Sequence, residues 1–145
     1  MLKGIHPLLN AELLHVLAAM GHGDELALVD ANFPAASVAK KLIRLDGVDT
    51  PTALKAILTL FPLDTFVPSP VAVMQVVGDA KAVPPPVRDF QPIVDEAMGK
   101  PVKLDAIERF AFYERARKAF AIVATGEQRG YGNAILTKGV IAIFS

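Results

Sequence analysis

Two hydrophobic spacings alternate along the chain and predict its secondary structure. Short, nearly continuous apolar runs indicate strands, and apolar residues placed three or four positions apart indicate helices. Strands are predicted at residues 25–29, 41–45, 71–77, 103–107, 120–125 and 134–140. Helices are predicted at residues 10–20, 50–60, 87–98 and 108–118, with a brief helical turn after Pro34.

The residues between these elements support the predicted boundaries. Asn10 is a good N-cap for the first helix, and Gly21 occupies the position where glycine commonly ends one. Thr50 and Pro51 form a strong helix start. Pro92 lies inside the helix predicted at 87–98, so we expect it to kink or split that helix.

Strands that alternate with helices are typical of an α/β protein. We therefore predict a single domain of residues 1–145, with a mostly parallel central sheet of about six strands flanked by helices. The apolar run at 71–77 fits a strand that is covered on both faces.

The chain is more apolar than a small domain needs. Apolar residues make up 52% of it and the mean hydropathy is +0.40. The most apolar stretch, residues 61–77, is interrupted by three prolines and by Asp64, so no run approaches the roughly 18 residues of a membrane span. We expect the excess to be buried between subunits, as in obligate interfaces, which predicts a homo-oligomer.

Charge and composition exclude other classes of function. Fifteen basic residues balance fifteen acidic ones, so neither nucleic acid nor an anionic membrane is an expected partner. There is no cysteine, and no two histidines have the i, i+4 spacing of a helical zinc site, so we predict no metal. The start of the chain lacks the apolar core of a signal peptide, which suggests a cytoplasmic protein.

Of the three histidines, His22 is the candidate for proton transfer. It stands between Gly21 and Gly23, which leave the backbone free and the ring accessible. An unperturbed imidazole exchanges its proton near pH 6.5, close to neutrality. Asp30 follows the strand at 25–29, where open α/β sheets place their ligand sites. The alternative is that this Gly-His-Gly segment is only a turn.

Other candidates lie near the end of the chain. The loop at 126–133 is rich in glycine but matches no phosphate-binding pattern, and it is either a tight strand connection or a polar clamp containing Tyr131 and Asn133. Arg109 and Tyr113, four residues apart, share one helix face, which is either a solvated surface or an arginine walled by neighbouring phenylalanines. These groups suit a small polyhydroxylated ligand such as a monosaccharide.

Five separated motifs resemble the fucose mutarotase and ribose pyranase family, and the resemblance spans nearly the whole chain. They are Met20-Gly-His-Gly-Asp-Glu25, Asp30-Ala-Asn-Phe-Pro34, Arg44-Leu-Asp-Gly47, Glu108-Arg-Phe-Ala-Phe-Tyr-Glu-Arg115 and Tyr131-Gly-Asn133. The first and fourth motifs are more similar to the fucose mutarotase branch than to the ribose branch.

The resemblance implies a cytoplasmic, cofactor-free isomerase that interconverts the α and β anomers of a free sugar, L-fucose foremost. It implies a ring-shaped, commonly decameric assembly with active sites at subunit boundaries. By the same resemblance His22 is the proton donor, and the sugar is held by Asp30, Arg109, Tyr131, Gly132 and Asn133. Tyr113 joins these as a further candidate for binding, and Asp30 has the alternative role of orienting the imidazole.

Three other functions stay open at this stage. One is a D-ribose pyranase, and another is a non-catalytic, oligomeric sugar-binding scaffold. The third is an isomerase of phosphorylated sugars, which the missing phosphate-binding pattern disfavours.

Overall fold

The computed structural model describes residues 1–143, which form one six-stranded sheet and five helices. The strands are β1 (Glu25–Val29), β2 (Leu42–Leu45), β3 (Val71–Met74), β4 (Asp105–Ile107), β5 (Ala121–Thr125) and β6 (Ala134–Thr137). The helices are α1 (Ala11–Ala19), α2 (Ala35–Val38), α3 (Thr50–Leu58), α4 (Pro85–Met98) and α5 (Arg109–Lys118).

The sheet order is β2-β5-β1-β6-β3-β4. Every pairing that involves β6 is antiparallel, and the other three pairings are parallel. Five strands therefore point the same way, and β6 runs against them in the middle of the sheet. This confirms the predicted α/β fold with a mostly parallel sheet.

Both faces of the sheet are covered, as the continuous apolar runs predict. In β1, Leu26 and Leu28 join the core under α1, α3 and α4, while Ala27 and Val29 join the core on the other face under α2 and α5. The alternation follows from the two-residue period of a strand. The result is a three-layer sandwich in which β1 and β5 are buried centrally.

Several predicted elements differ in detail: β3 ends at Met74 and not at Val77, and β4 begins at Asp105 and not at Lys103. Helix α4 is not split, because it continues through Pro92. Pro92 is on the exposed side of the helix, where water can satisfy the carbonyl that lost its donor. Strand β6 ends at Thr137, three residues early, because Lys138 and Gly139 turn to pair with the segment at Leu63.

Candidate active site

The sheet separates the predicted site residues into two groups, which lie at opposite ends of its strands. His22 precedes β1, whereas Asp30 follows it, and the five residues of β1 span about 15 Å. Tyr131, Gly132 and Asn133 precede β6, whose first residue pairs with Leu28 near the Asp30 end. Arg109 follows β4, which points the same way as β1. We call the end with His22, Asp64 and Phe66 the His22 edge, and the end with Asp30, Arg109, Tyr131 and Asn133 the loop edge.

At the His22 edge, the imidazole is held on one side and open on the other. His22 Nε2 lies 3.0 Å from Asp64 Oδ1, with the His22 side chain 45% exposed and the Asp64 side chain 3% exposed. The Phe66 ring packs against the imidazole with a centroid separation of 5.3 Å. An ionised carboxylate can only accept, so Nε2 carries the hydrogen and Nδ1 is left with the free lone pair.

Asp64 is a rigid partner because neighbouring backbone groups hold it. Its N–H donates to Thr137 O, and its Oδ1 also accepts from the Phe66 N–H. A Cβ at Gly139 would lie 2.7 Å from Leu63 O, so only glycine allows this approach of the two segments. Burial acts to raise the pKa of Asp64, but the Phe66 N–H and the His22 imidazole outweigh it and hold that pKa below its usual range. Asp64 is therefore anionic at neutral pH.

Lys138 fastens the loop that carries His22. Its ammonium donates to the Leu17 and Met20 carbonyls at 2.7 and 2.6 Å, at the C-terminal end of α1, where a cation is favourable. Its backbone pairs with Gly23 and Asp24. The chain on both sides of His22 is thus fixed, although the ring itself faces outward.

At the loop edge, Asp30 organises the backbone. Its Oδ1 accepts from the N–H groups of Asn32 and Phe33 at 3.0 Å, and its Oδ2 accepts from the Gly132 N–H at 3.1 Å. The side chain is buried, and burial raises the pKa of Asp30 above its ordinary value despite these three donors. Within residues 1–143, the carboxylate that contacts His22 is Asp64, so Asp30 does not orient the imidazole of its own chain.

Tyr131 and Asn133 are held in fixed positions. Tyr131 has φ of +60°, a left-handed conformation that costs a non-glycine residue about 1–3 kcal/mol and is concentrated at functional sites. Its hydroxyl accepts from the Val77 N–H at 3.1 Å. Asn133 is buried, and its Oδ1 accepts from the Asp30 N–H at 2.8 Å. The phenolic hydrogen of Tyr131 therefore remains as a donor at this edge, and the Asn133 NH₂, which also hydrogen-bonds the Asp30 carboxylate, has a second hydrogen to donate.

Arg109 and Tyr113 lie on the same face of α5, as predicted. The Arg109 guanidinium lies over the Phe110 ring, 4.6 Å from its centroid. Within residues 1–143, Arg109 Nε is the one buried side-chain polar atom without a hydrogen-bond partner. Tyr113 packs edge-on against Phe33 at 5.3 Å. Of the neighbouring phenylalanines, Phe110 lies against the guanidinium, whereas Phe112 is buried in the core.

Two clefts open beside these groups. One has a volume of 380 Å³ and is lined by Arg109, Phe110 and the turn at Val77. The other has a volume of 520 Å³ and is lined by Asp30, Phe33, Arg44 and Thr125. Both volumes are within the range of small-ligand pockets.

Sequence reasoning missed Asp64, which it treated only as an interruption of the apolar stretch at 61–77. A signal was present, because a carboxylate within the most apolar part of a chain is buried at a cost unless it has a partner. The identity of that partner depends on a contact across 42 residues and is not readable from local sequence.

Residues 1–143 contain neither a metal-binding cluster of side chains nor a membrane-spanning helix. No group of three or more His, Asp or Glu side chains within residues 1–143 is arranged to hold a metal ion. No helix in the same part of the chain is long and apolar enough to cross a membrane.

The sheet, the His22–Asp64 pair and the polar loop together define an α/β protein with two separate groups of polar side chains at the ends of its strands. The chain belongs to the RbsD / FucU transport protein family, whose model matches residues 3–141.

Individual relatives are similar over almost the full length. A fucose mutarotase from Homo sapiens is 52% identical, with 98% of this chain and 96% of that protein covered. An L-fucose mutarotase from Actinobacillus pleuropneumoniae is 48% identical, with 99% of each chain covered. The crystal structure of the fucose mutarotase from Streptococcus pneumoniae in complex with L-fucose superposes with a TM-score of 0.91 at 45% identity, covering 97% of this chain and all of that one.

Proposed function

We propose that this protein is a fucose mutarotase, an isomerase that interconverts the α and β anomers of free L-fucose without a cofactor. The two curated relatives described above carry that activity in their names, and a structural relative was solved with L-fucose bound. We propose further that the chain acts as one sugar-binding domain, residues 1–145, in the cytoplasm.

The observation that carries this proposal is the pairing of an exposed imidazole with a buried carboxylate. Mutarotation opens the sugar ring by removing the proton of the anomeric hydroxyl and protonating the ring oxygen as the C1–O bond breaks. Rotation about the C1–C2 bond and reversal of both proton transfers give the other anomer. A group that exchanges protons near neutral pH can act in both directions, which is worth about 10²–10⁴-fold.

His22 would supply this proton transfer through Nδ1, the ring nitrogen that Asp64 leaves free. Asp64 would hold the ring in the tautomer with hydrogen on Nε2 and would stabilise the imidazolium while it carries a second proton. Phe66 would limit rotation of the ring on the exposed side. In this arrangement Asp64 acts through His22 and does not touch the sugar.

The loop edge would hold the sugar. The Arg109 guanidinium, the Tyr131 hydroxyl and the Asn133 amide NH₂ are donors, which suits the hydroxyl and ring oxygens of a monosaccharide. Arg109 stays charged at all working pH values, so it fixes hydroxyls and does not transfer protons. Asp30 and Gly132 would contribute by shaping the backbone, and Tyr113 would form part of the aromatic wall.

One chain cannot bring these two half-sites to the same sugar, because β1 separates them by about 15 Å. We therefore propose that the His22 edge of one copy meets the loop edge of another, in a homo-oligomer for which the family resemblance suggests a ring-shaped decamer. Both edges carry an exposed aromatic ring, Phe66 at 74% and Phe110 at 61% exposure, which contact between copies would bury.

The test is to measure anomer exchange by saturation-transfer NMR for L-fucose and D-ribose, using His22→Gln, Asn133→Ala and both variants co-expressed. We expect faster exchange for L-fucose, and two variants that are inactive alone. Random co-assembly should restore about one quarter of the sites, since each site draws its two halves from different copies. The control pair, His22→Gln with Asp64→Asn, alters the same edge in every copy, so exchange should not exceed that of Asp64→Asn alone.

Other outcomes identify the alternatives. Equal or faster exchange of D-ribose would move the protein to the pyranase reading. Sugar binding without any acceleration of exchange would leave a sugar-binding scaffold. Two inactive variants that fail to complement each other in mixed oligomers would contradict the shared site.

A further inference from the structure

The polar loop, residues 126–133, has a backbone that depends on one buried side chain. A Cβ at Gly132 would lie 2.7 Å from Glu127 Cγ and 3.0 Å from Thr50 Oγ1. Glu127 therefore fills the space directly beneath Gly132, next to the left-handed Tyr131. The Gly132 N–H, on its other side, donates to Asp30 Oδ2.

Both oxygens of the Glu127 carboxylate are occupied. Oε1 accepts from Thr50 Oγ1 at 3.2 Å and from Arg129 Nη2 at 2.9 Å. Oε2 accepts from the Arg129 backbone N–H at 3.1 Å and from Arg129 Nε at 3.2 Å. The side chain is 4% exposed, so the carboxylate makes its bonds within the protein and is not free to receive a ligand.

The backbone of Glu127 connects the loop to two strands. Its carbonyl accepts from the Ala31 N–H at 2.9 Å, immediately after Asp30. Its own N–H donates to Thr125 Oγ1, whose hydroxyl in turn donates to Val29 O at 2.8 Å. A displacement of Glu127 would thus be transmitted to the Asp30 turn as well as to Gly132.

Arg129 extends this arrangement to helix α4. Its Nη1 donates to Asp89 Oδ2 at 2.7 Å, while its Nε and Nη2 donate to the Glu127 carboxylate. Burial acts to raise the pKa of Glu127, but the hydrogen bonds from Arg129 outweigh it and keep that pKa below its usual range. We call Glu127, Arg129 and Asp89 the loop clamp.

We propose that Glu127 is a positioning residue for sugar recognition, holding Tyr131 and Asn133 in place through Gly132 while touching no sugar itself. This rests on the proposed function, because it assigns Tyr131 and Asn133 to the sugar. The clamp lies at the loop edge, so its loss should affect sugar binding and should spare proton transfer at His22.

The first test is the kinetics of Glu127→Gln, which retains the shape and an acceptor for Thr50 but loses the charged pairing with Arg129. We expect KM for L-fucose to rise about tenfold, with kcat at saturating sugar within about threefold of wild type. Arg129→Lys, which loses the planar fork, should show a smaller rise, and Asp89→Asn, at the half-exposed end, the smallest. Gln128→Ala is the matched control, because Gln128 is exposed in the same loop.

The second test reports on Tyr131 directly and does not depend on catalysis. The chain contains two tyrosines and no tryptophan, so protein labelled with 3-fluorotyrosine should give two ¹⁹F resonances. Tyr113→Phe assigns them. In Glu127→Gln and in Arg129→Lys, the Tyr131 resonance should shift or broaden, while the Tyr113 resonance stays in place. In the Gln128→Ala control, both resonances should stay in place.

These measurements separate the possible failures. An unmoved Tyr131 resonance with unchanged KM overturns the positioning role. A lower kcat together with a higher KM, with both tyrosine resonances disturbed and a lower Tm, also overturns it, because that pattern marks general destabilisation. If Glu127→Gln does not fold, the half-exposed Arg129→Lys decides by the same criteria. If the wild type shows no exchange of L-fucose, the proposed function fails, while the ¹⁹F measurement still tests the clamp.

Discussion

The two edges of the sheet differ in how they hold their functional groups. At the His22 edge, a half-exposed ring is held by one carboxylate and by packing against Phe66. At the loop edge, Asp30, Asn133 and Glu127 are all buried and joined by hydrogen bonds that connect three segments of chain. Under the proposed function, the group that moves a proton is accessible, whereas the groups that recognise hydroxyls are fixed in advance, which reduces the ordering cost of binding.

The largest expected effect comes from replacing His22, the exposed group of the two edges. His22→Gln should lower catalysed L-fucose exchange by about 10²–10⁴-fold, or about 3–5 kcal/mol of barrier, because general acid–base help is lost. Sugar affinity should fall much less, since the loop edge is intact. Saturation-transfer NMR, isothermal titration and size-exclusion chromatography on one sample give rate, affinity and assembly.

His15→Gln is the matched control, because His15 is exposed on α1 and lies outside both edges. It should exchange anomers at the wild-type rate. A correctly assembled His22→Gln protein that retains full activity would end the proton-transfer role.

A smaller loss is expected from Asp64→Asn, roughly 10- to 100-fold in rate, because the imidazole remains but its tautomer is no longer imposed. The pH–rate profile should change shape in this variant, whereas an effect on packing alone would lower the rate equally at every pH. Thr65→Ala, at the adjacent exposed position, serves as the control. A profile that keeps its shape would argue against Asp64 acting on the imidazole.

Much of the fold could be predicted from the sequence because its signals are local. Asn10 accepts from the Leu13 N–H, as the predicted cap should, and the apolar runs at β1, β3, β5 and β6 became buried strands. The cap of α3 is Asp49, which accepts from the Thr52 N–H, and not the predicted Thr50, which is the first residue of the helix. The boundary of β6 was less predictable, since it depends on pairing of Lys138 with a segment 75 positions earlier that begins near Leu63.

The sequence could name candidate site residues, which stay predictions, but it could not give their geometry. His22 and Asp30 are separated by only one strand in sequence, yet that strand is extended and places them at opposite edges. Glu127 and Asp64 carried no motif of their own, and their importance comes from contacts with Arg129 and His22. A sequence pattern reports residue types, whereas a shared site depends on which edges meet in the assembly.

The next prediction is that Arg109→Met lowers the affinity for L-fucose about tenfold. An unsatisfied buried donor costs about 1–3 kcal/mol and the stacking on Phe110 returns about 0.5–1 kcal/mol, so removing the guanidinium should leave stability unchanged or higher. Differential scanning calorimetry and titration with sugar measure both quantities. Arg117→Met, on the exposed face of the same helix, is the control. Lower stability with unchanged affinity would show that Arg109 serves the fold.

The smallest expected effect concerns the free energy of unfolding in acid. The pKa of Glu127 lies below its ordinary value of 4.5, so the stability that its ionised form provides is complete above about pH 4.5 and is lost as the pH falls through the folded-state pKa. Burial raises the pKa of Asp30 above 3.8, so Asp30 has the opposite sign, and its penalty disappears as the pH falls through its folded-state pKa.

These two effects can be separated by urea unfolding at pH 6 and pH 4. The protein concentration is kept the same throughout, because the stability of an oligomer depends on it. Glu127→Gln should lose less stability than wild type between the two pH values, and Asp30→Asn should lose more. Gln128→Ala carries no titratable change at the loop edge and should follow the wild type. If Glu127→Gln and wild type lose the same stability on acidification, the charged pairing of Glu127 with Arg129 does not stabilise the loop edge, and the contrast between a fixed edge and an open one would then depend on neutral hydrogen bonds alone.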